Sequence, residues 1–205
     1  MIDLLALRET PLQSDPFDFV VVPHFLDPDN LAAVRAGYPA LIGPGNHRSE
    51  ALESGAAFSE LLKELQSSAL TRHVEAKFGV DLSDSRLTIT VRRYCEATDG
   101  HIHTDHRSKI VTMLLYLNDD WKAEGGQLRF LRSSRDLNDL AAEVRPLGGT
   151  MLAFRSSEKS FHGHLPYVGE RRMIQMSWIN PGILQRFEKS LSRLTKPARR
   201  LLNVS

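Results

Sequence analysis

The feature that most constrains this chain is a change of hydrophobic period near Arg86. From there, Leu87-Thr88-Ile89-Thr90-Val91-Arg92 alternates apolar and polar side chains, which is the pattern of a strand with one face buried. Ile110 to Leu117, Gln127 to Leu131, Thr150 to Phe154 and Arg172 to Ile179 repeat the strand signal. Gly125-Gly126, Gly148-Gly149 and Gly169 separate these runs as turns do. A series of short strands joined by turns closes into a sandwich or barrel.

The first third reads differently. Phe19-Val20-Val21-Val22 is expected to be a short buried strand, and Asp27-Pro28 starts a helix with Asp27 as N-cap and Pro28 at its first position. A second helix is expected over 57–77, where Phe58, Leu61, Leu62, Leu65 and Leu70 recur at helical spacing. The tail from Pro181 reads as a third helix, with Leu184, Phe187, Leu191 and Leu194 on one side. Arg186, Lys189, Arg193, Lys196, Arg199 and Arg200 make it basic. The plain expectation is a helix packed on the domain with a solvated basic face; contact with a second copy, giving a homodimer, or with an anionic partner is the alternative.

Together these signals predict a mainly β fold with flanking helices, best matched by a double-stranded β-helix of the jelly-roll, cupin-like kind. One domain is expected over 1–205. It comprises an N-terminal strand and supporting helices (1–85), a catalytic β core (86–180) and a C-terminal basic helix (181–205). A chain of 205 residues is long enough for one sizeable core.

Composition excludes several function classes. With a net charge of +1, the chain lacks the basic excess of a dedicated nucleic-acid binder. No apolar run approaches the roughly 20 residues of a membrane span, and the first residues lack the basic, then apolar pattern of a signal peptide. The single cysteine, Cys95, permits neither an intrachain disulfide nor a cysteine-rich zinc site. A cytoplasmic location is the simplest expectation.

The histidines carry the chemistry. In Gly100-His101-Ile102-His103-Thr104-Asp105-His106, an extended backbone points His103 and Asp105 to one side, so both can reach one ion. Two histidines and a carboxylate form the facial triad of non-haem iron(II), which leaves positions open for other ligands. The pair alone is uninformative, since a chain with eight histidines and 13 aspartates makes a chance His-x-Asp match about as common as not. His73-Val74-Glu75 is a decoy of this sort: on a helix, residues two apart diverge. His162, 57 residues beyond Asp105, supplies a third donor. After it comes a turn and a strand in which Arg172, Ile174, Met176 and Trp178 share a face, and a guanidinium there can grip a carboxylate through two parallel hydrogen bonds.

The chain resembles the prolyl-hydroxylase-like branch of the Fe(II)/2-oxoglutarate-dependent dioxygenases over 94–179. The resemblance rests on His103-Thr104-Asp105, Tyr116-Leu117-Asn118-Asp119-Asp120-Trp121, Gly125-Gly126-Gln127-Leu128 and Gly149-Thr150-Met151-Leu152-Ala153-Phe154. Phe161-His162-Gly163-His164-Leu165-Pro166 and Gly169-Glu170-Arg171-Arg172 complete it. It implies that His103, Asp105 and His162 bind iron(II). It also implies that Arg172, helped by Tyr116, pairs with the distal carboxylate of 2-oxoglutarate, with Tyr94 near that co-substrate.

Two neighbours compete for these roles. His164 rivals His162, and Pro166, four after His162, favours the latter by the family's spacing. Arg171 rivals Arg172, and the six-residue step from Arg172 to Trp178 favours Arg172. The resemblance further implies O2-dependent conversion of 2-oxoglutarate to succinate and carbon dioxide, coupled to hydroxylation of a substrate. That substrate is either a prolyl residue of a protein or a small molecule, and Arg92 and Arg107 near the site raise the option of an anionic one. A non-catalytic metal-binding or ligand-sensing β-barrel and a zinc hydrolase are the competing readings.

Side-chain alternation adds a geometric expectation. If Tyr116 faces the co-substrate, then Ile110, Thr112 and Leu114 do too, while Val111, Met113, Leu115 and Leu117 pack on the helices. Likewise Thr88, Thr90, Arg92 and Tyr94 should line the pocket, with Leu87, Ile89 and Val91 in the core.

Overall fold

The computed structural model describes residues 1–41 and 43–183. The basic segment expected to be helical from Leu184 onward, and the dimer contact assigned to it, lie outside the described residues. Helix α1 (Leu4–Glu9) is capped by Asp3, whose side chain accepts from the Ala6 amide. Strand β1 spans Phe19–Val22, and α2 (Pro28–Ala36) begins as expected with Asp27 as N-cap and Pro28 in the first turn.

The helix expected over 57–77 is two helices, α3 (Ala56–Leu65) and α4 (Ser68–Phe78). The break has a local cause: the Ser67 hydroxyl accepts from the Leu70 amide, and a serine there favours the N-cap over continuing a helix. Gly79, at φ +59°, then ends α4 in the left-handed conformation that glycine tolerates best.

A two-residue strand β2 (His47–Arg48) precedes α3. The β-rich part contains β3 (Arg86–Cys95), β4 (Lys109–Tyr116), β5 (Leu128–Leu131), β6 (Leu140–Val144), β7 (Met151–Arg155), β8 (His162–Gly163) and β9 (Gly169–Ile179). They form an antiparallel six-stranded sheet of order β1-β7-β4-β9-β3-β2 and a three-stranded sheet of order β6-β5-β8. The expected β fold with flanking helices is present. β6 carries no clean alternation, and β2 and β8 are too short for periodicity to register.

The large sheet has two different faces. Val111, Met113, Leu115, Ile174, Met176, Trp178, Ile89 and Val91 pack against Leu7, Val34, Phe58, Leu61, Leu65, Leu70 and Val74 of the helices. On the opposite face, Leu114, Tyr116, Leu152, Phe154 and Met173 meet Leu128, Phe130 and Val144 of the small sheet. Each fully buried Leu or Phe contributes on the order of 1.5–3 kcal/mol of transfer free energy, so the helix layer and the small sheet each anchor the large one. The gap between the two sheets is where the chemistry-bearing residues gather.

Candidate metal centre

Two backbone hydrogen bonds bring the histidines together. The His103 amide donates to the His162 carbonyl at 3.0 Å, and the His162 amide donates back to the His103 carbonyl at 2.9 Å. Residues that exchange both bonds in an antiparallel pair carry their side chains on one face. The imidazole centroids accordingly lie 4.3 Å apart. Asp105, two residues further along the extended segment, turns to the same side. Among the described residues, His103, Asp105 and His162 form a group whose candidate ligand atoms all lie within 4.8 Å of one another.

Both tautomers are set by neighbouring carbonyls. His103 Nδ1 lies 2.8 Å from the His101 carbonyl oxygen, and His162 Nδ1 lies 2.9 Å from that of Ser160. A carbonyl only accepts, so each Nδ1 carries the proton and each Nε2 keeps its lone pair for a metal. Asp105 is held just as firmly. Its Oδ1 accepts from Lys109 Nζ at 2.6 Å, and its Oδ2 accepts from Thr112 Oγ1 at 2.5 Å. Each carboxylate oxygen has a further lone pair available. Burial pushes the Asp105 carboxyl up, but the Lys109 charge, the His162 ring and these hydrogen bonds outweigh it and hold it below its usual range. Burial drives His162 down to about 4, against the pull of Asp105. Near neutral pH the donor set is therefore one carboxylate and neutral imidazole at His162, the forms a divalent metal requires.

A cavity of about 210 Å³ opens beside these groups, lined by His103, Asp105 and His162 together with Arg92, Arg171 and Gln175. Arg171 is 2% exposed. Its Nε donates to the Gly126 carbonyl at 2.8 Å, and its Nη2 donates to the Tyr116 hydroxyl at 2.9 Å. The guanidinium also lies over the Tyr116 ring, 5.0 Å from its centroid. Gly126 sits at φ +82° with Trp121 packed where a Cβ would point, so glycine lets this carbonyl approach the arginine. Tyr116 is fully buried, and that burial raises its hydroxyl pKa while Arg171 opposes the shift.

Two of the expected site residues are elsewhere. Arg172 does share a face with Ile174, Met176 and Trp178, but that face packs on the helices. Its Nε and Nη2 bind Glu170 at 3.0 and 2.9 Å, and it stacks over Tyr38. The register explains this placement. Val111 pairs with Trp178, Met113 with Met176 and Leu115 with Ile174, and cross-strand partners share a face. The pocket row is therefore Tyr116–Met173 and Leu114–Gln175, and Arg171 is the arginine that reaches the cavity.

Tyr94 is the second residue placed outside the cavity lining. A bulge between Arg92 and Tyr94 shifts the β3–β9 register, so alternation does not carry past Arg92. Tyr94 does not line the cavity, and Arg93 covers its ring at 5.2 Å. A similar shift between Lys109 and Val111 turns Ile110 to the helix side. His164, the rival of His162, lines the same cavity but its ligand atoms are not part of the close group. Lys109 and Thr112 are the contributors that role assignment missed. Thr112 shares the alternating face of Tyr116 and was findable from it; nothing in the pattern marks Lys109.

A family model, the 2OG-Fe(II) oxygenase superfamily, matches residues 89–180. Over that stretch, a little under half of its length, the chain is similar to that superfamily. Enzymes of that superfamily use Fe(II), 2-oxoglutarate and O2. No curated protein matches the chain. Solved structures share its fold. A prolyl-4-hydroxylase from Pseudomonas putida is 20% identical, with 86% of this chain and 96% of that one covered at a TM-score of 0.56. Prolyl 4-hydroxylase from Phytophthora capsici is also 20% identical, with 95% and 76% covered at 0.58. A prolyl hydroxylase from Trichoplax adhaerens, in complex with a hypoxia inducible factor oxygen degradation domain peptide fragment, is 17% identical, with 80% and 84% covered at 0.56. Among the described residues, no helix is long and apolar enough to cross a membrane.

Proposed function

We propose that this chain is an Fe(II)- and 2-oxoglutarate-dependent oxygenase in which His103, Asp105 and His162 hold the iron(II), Arg171 with Tyr116 holds the distal carboxylate of 2-oxoglutarate, and 1–205 act as one catalytic domain. The observation that carries this reading is a three-donor group within 4.8 Å sharing one cavity with a buried arginine–tyrosine pair. Two imidazoles and a carboxylate suit iron(II), whose remaining positions stay open. When bound, iron(II) supplies O2-dependent oxidation of a C–H bond coupled to conversion of 2-oxoglutarate into succinate and carbon dioxide.

The chain's own residues do the positioning. The carbonyls of His101 and Ser160 accept from Nδ1 and so orient Nε2 of each histidine toward the metal position, and Lys109 and Thr112 fix the rotation of Asp105. Arg171 presents its charge in a buried setting, where a carboxylate pairs with it more strongly than in water. The hydroxylated group is a prolyl residue of a protein or a C–H bond of a small molecule. The peptide-bound prolyl hydroxylase among the structural relatives supports the first.

Anaerobic addition of iron(II) and then 2-oxoglutarate to metal-free protein tests the assignment through the visible charge-transfer band of a chelated 2-oxo acid. The band is expected in the wild type and absent in His162→Ala and Asp105→Ala. A protein that binds metal tightly yet gives no band would favour the ligand-sensing or zinc readings.

A further inference from the structure

The cavity holds polar groups that iron and 2-oxoglutarate leave unused, and they cluster on one edge of the large sheet. Arg92 lies opposite Met173, which lies opposite Tyr116, so all three face the gap between the sheets. Two strand spacings, about 10 Å, separate the Arg92 backbone from that of Tyr116, making this a point distinct from the Arg171–Tyr116 anchor. Arg92 is aimed by two contacts: its Nε donates to the Tyr94 carbonyl at 3.2 Å, and its Nη2 to Asp99 at 2.7 Å. Asp99 in turn accepts from the Glu96 amide, which fixes the carboxylate and through it the guanidinium. Arg92 Nη1 makes no hydrogen bond among the described residues.

The edge strand carries a second arginine, outside the cavity's own lining. His47 pairs with Val91 and Arg48 with Thr90. Val91 belongs to the helix-side core, so Thr90 and Arg48 face the cavity side. Thr90 also pairs with Gln175, a cavity residue. Arg48 is exposed, and its side chain makes no ion pair or hydrogen bond among the described residues. Asn46 and Gln175 line the cavity, and their side-chain amides likewise have no partner among the described residues. Asp99 offsets the charge of Arg92, Lys109 is matched by Asp105, and Arg48 remains as an uncompensated cation.

We propose that the primary substrate carries a carboxylate or comparable oxyanion, held by Arg48 and Arg92 with the Asn46 and Gln175 amides while its oxidised carbon points at the metal site. Two guanidinium groups flanked by amide donors suit a planar anion with two or more acceptor oxygens. This specificity device rests on the function proposed above, because it places the substrate across the cavity from the 2-oxoglutarate anchor.

The test uses the full chain loaded with manganese(II) and 2-oxoglutarate, whose uptake is measured first. Sulfate is then titrated calorimetrically at low ionic strength as an oxyanion probe. Saturable millimolar binding is expected, weakened tenfold or more in Arg48→Gln/Arg92→Gln, with the 2-oxoglutarate dissociation constant unchanged within twofold. Arg48→Gln alone alters an exposed residue and reads the same loss if the double variant melts. No saturable sulfate binding, or equal binding by wild type and Arg48→Gln/Arg92→Gln, overturns the proposal while leaving the oxygenase reading intact. Failure of 2-oxoglutarate uptake with arginine-dependent sulfate binding preserved would count against the oxygenase assignment instead. In the iron-loaded enzyme, matched acid and primary-amide compounds complete the test: stimulation of 2-oxoglutarate consumption by acids is expected, and equal stimulation by the amides refutes it.

Discussion

Arg171 and Arg172 are adjacent, equally charged and separated only by which face of β9 each occupies, so exchanging their fates gives a sharp test. Arg171→Gln removes a fork that is 2% exposed and already oriented by the Gly126 carbonyl and the Tyr116 hydroxyl. Truncating one partner of a buried, hydrogen-bonded charge pair costs about 2–5 kcal/mol of binding. At about 1.4 kcal/mol per tenfold, 2-oxoglutarate affinity should fall by about 30- to 4000-fold. Arg171→Lys keeps the charge without the two-pronged geometry and should fall between the two. Arg172→Gln breaks a pair in which the arginine side chain is 22% and Glu170 is 39% exposed. Pairs of that kind contribute about 0–1 kcal/mol, so affinity should change by less than about fivefold. The assay is the anaerobic charge-transfer titration, run beside thermal melts, because losing Arg171 leaves the buried Tyr116 hydroxyl and Gly126 carbonyl short of a partner. That costs about 1–3 kcal/mol of stability. A large affinity loss in folded Arg172→Gln with Arg171→Gln unaffected would refute the assignment of faces.

Two further outcomes follow from the same geometry. Thr112→Val deletes the 2.5 Å hydrogen bond to Asp105 Oδ2 without changing side-chain shape. Metal affinity by chelator competition should drop about 10- to 100-fold, the usual cost of losing a residue that orients a ligand, and an unchanged affinity would mean that the threonine only packs. Metal-free protein should also lose stability in mild acid. His162 has a pKa of about 4 when folded and about 6.5 when unfolded, so the unfolded chain takes up a proton first. Stability is complete above about pH 6.5 and declines by about 3 kcal/mol as pH falls to 4. Urea midpoints at pH 7, 5.5 and 4 measure it; His162→Gln should flatten the dependence, and identical slopes in both proteins would contradict the assignment.

Alternation and turn residues alone made the β core, the start of α2, the two faces of β4 and the core face of β3 legible. These rest on local rules: a strand's side chains alternate, and Asp27-Pro28 opens a helix whatever packs on it. The donors His103, Asp105 and His162 were visible as a pattern of residue types, and their convergence was an inference until the His103–His162 backbone exchange brought segments 59 residues apart into register. Alternation also placed Arg172 with Trp178 correctly, yet it could not say which face of β9 looks into the cavity. That depends on pairing with β4, a contact distant in sequence, and on the bulge after Arg92, which resets the parity of Tyr94. Lys109 on Asp105 and Arg48 beside Arg92 had no sequence signature for the same reason. Local sequence sets where a side chain points relative to its own strand; only the assembled sheet decides what lies in that direction.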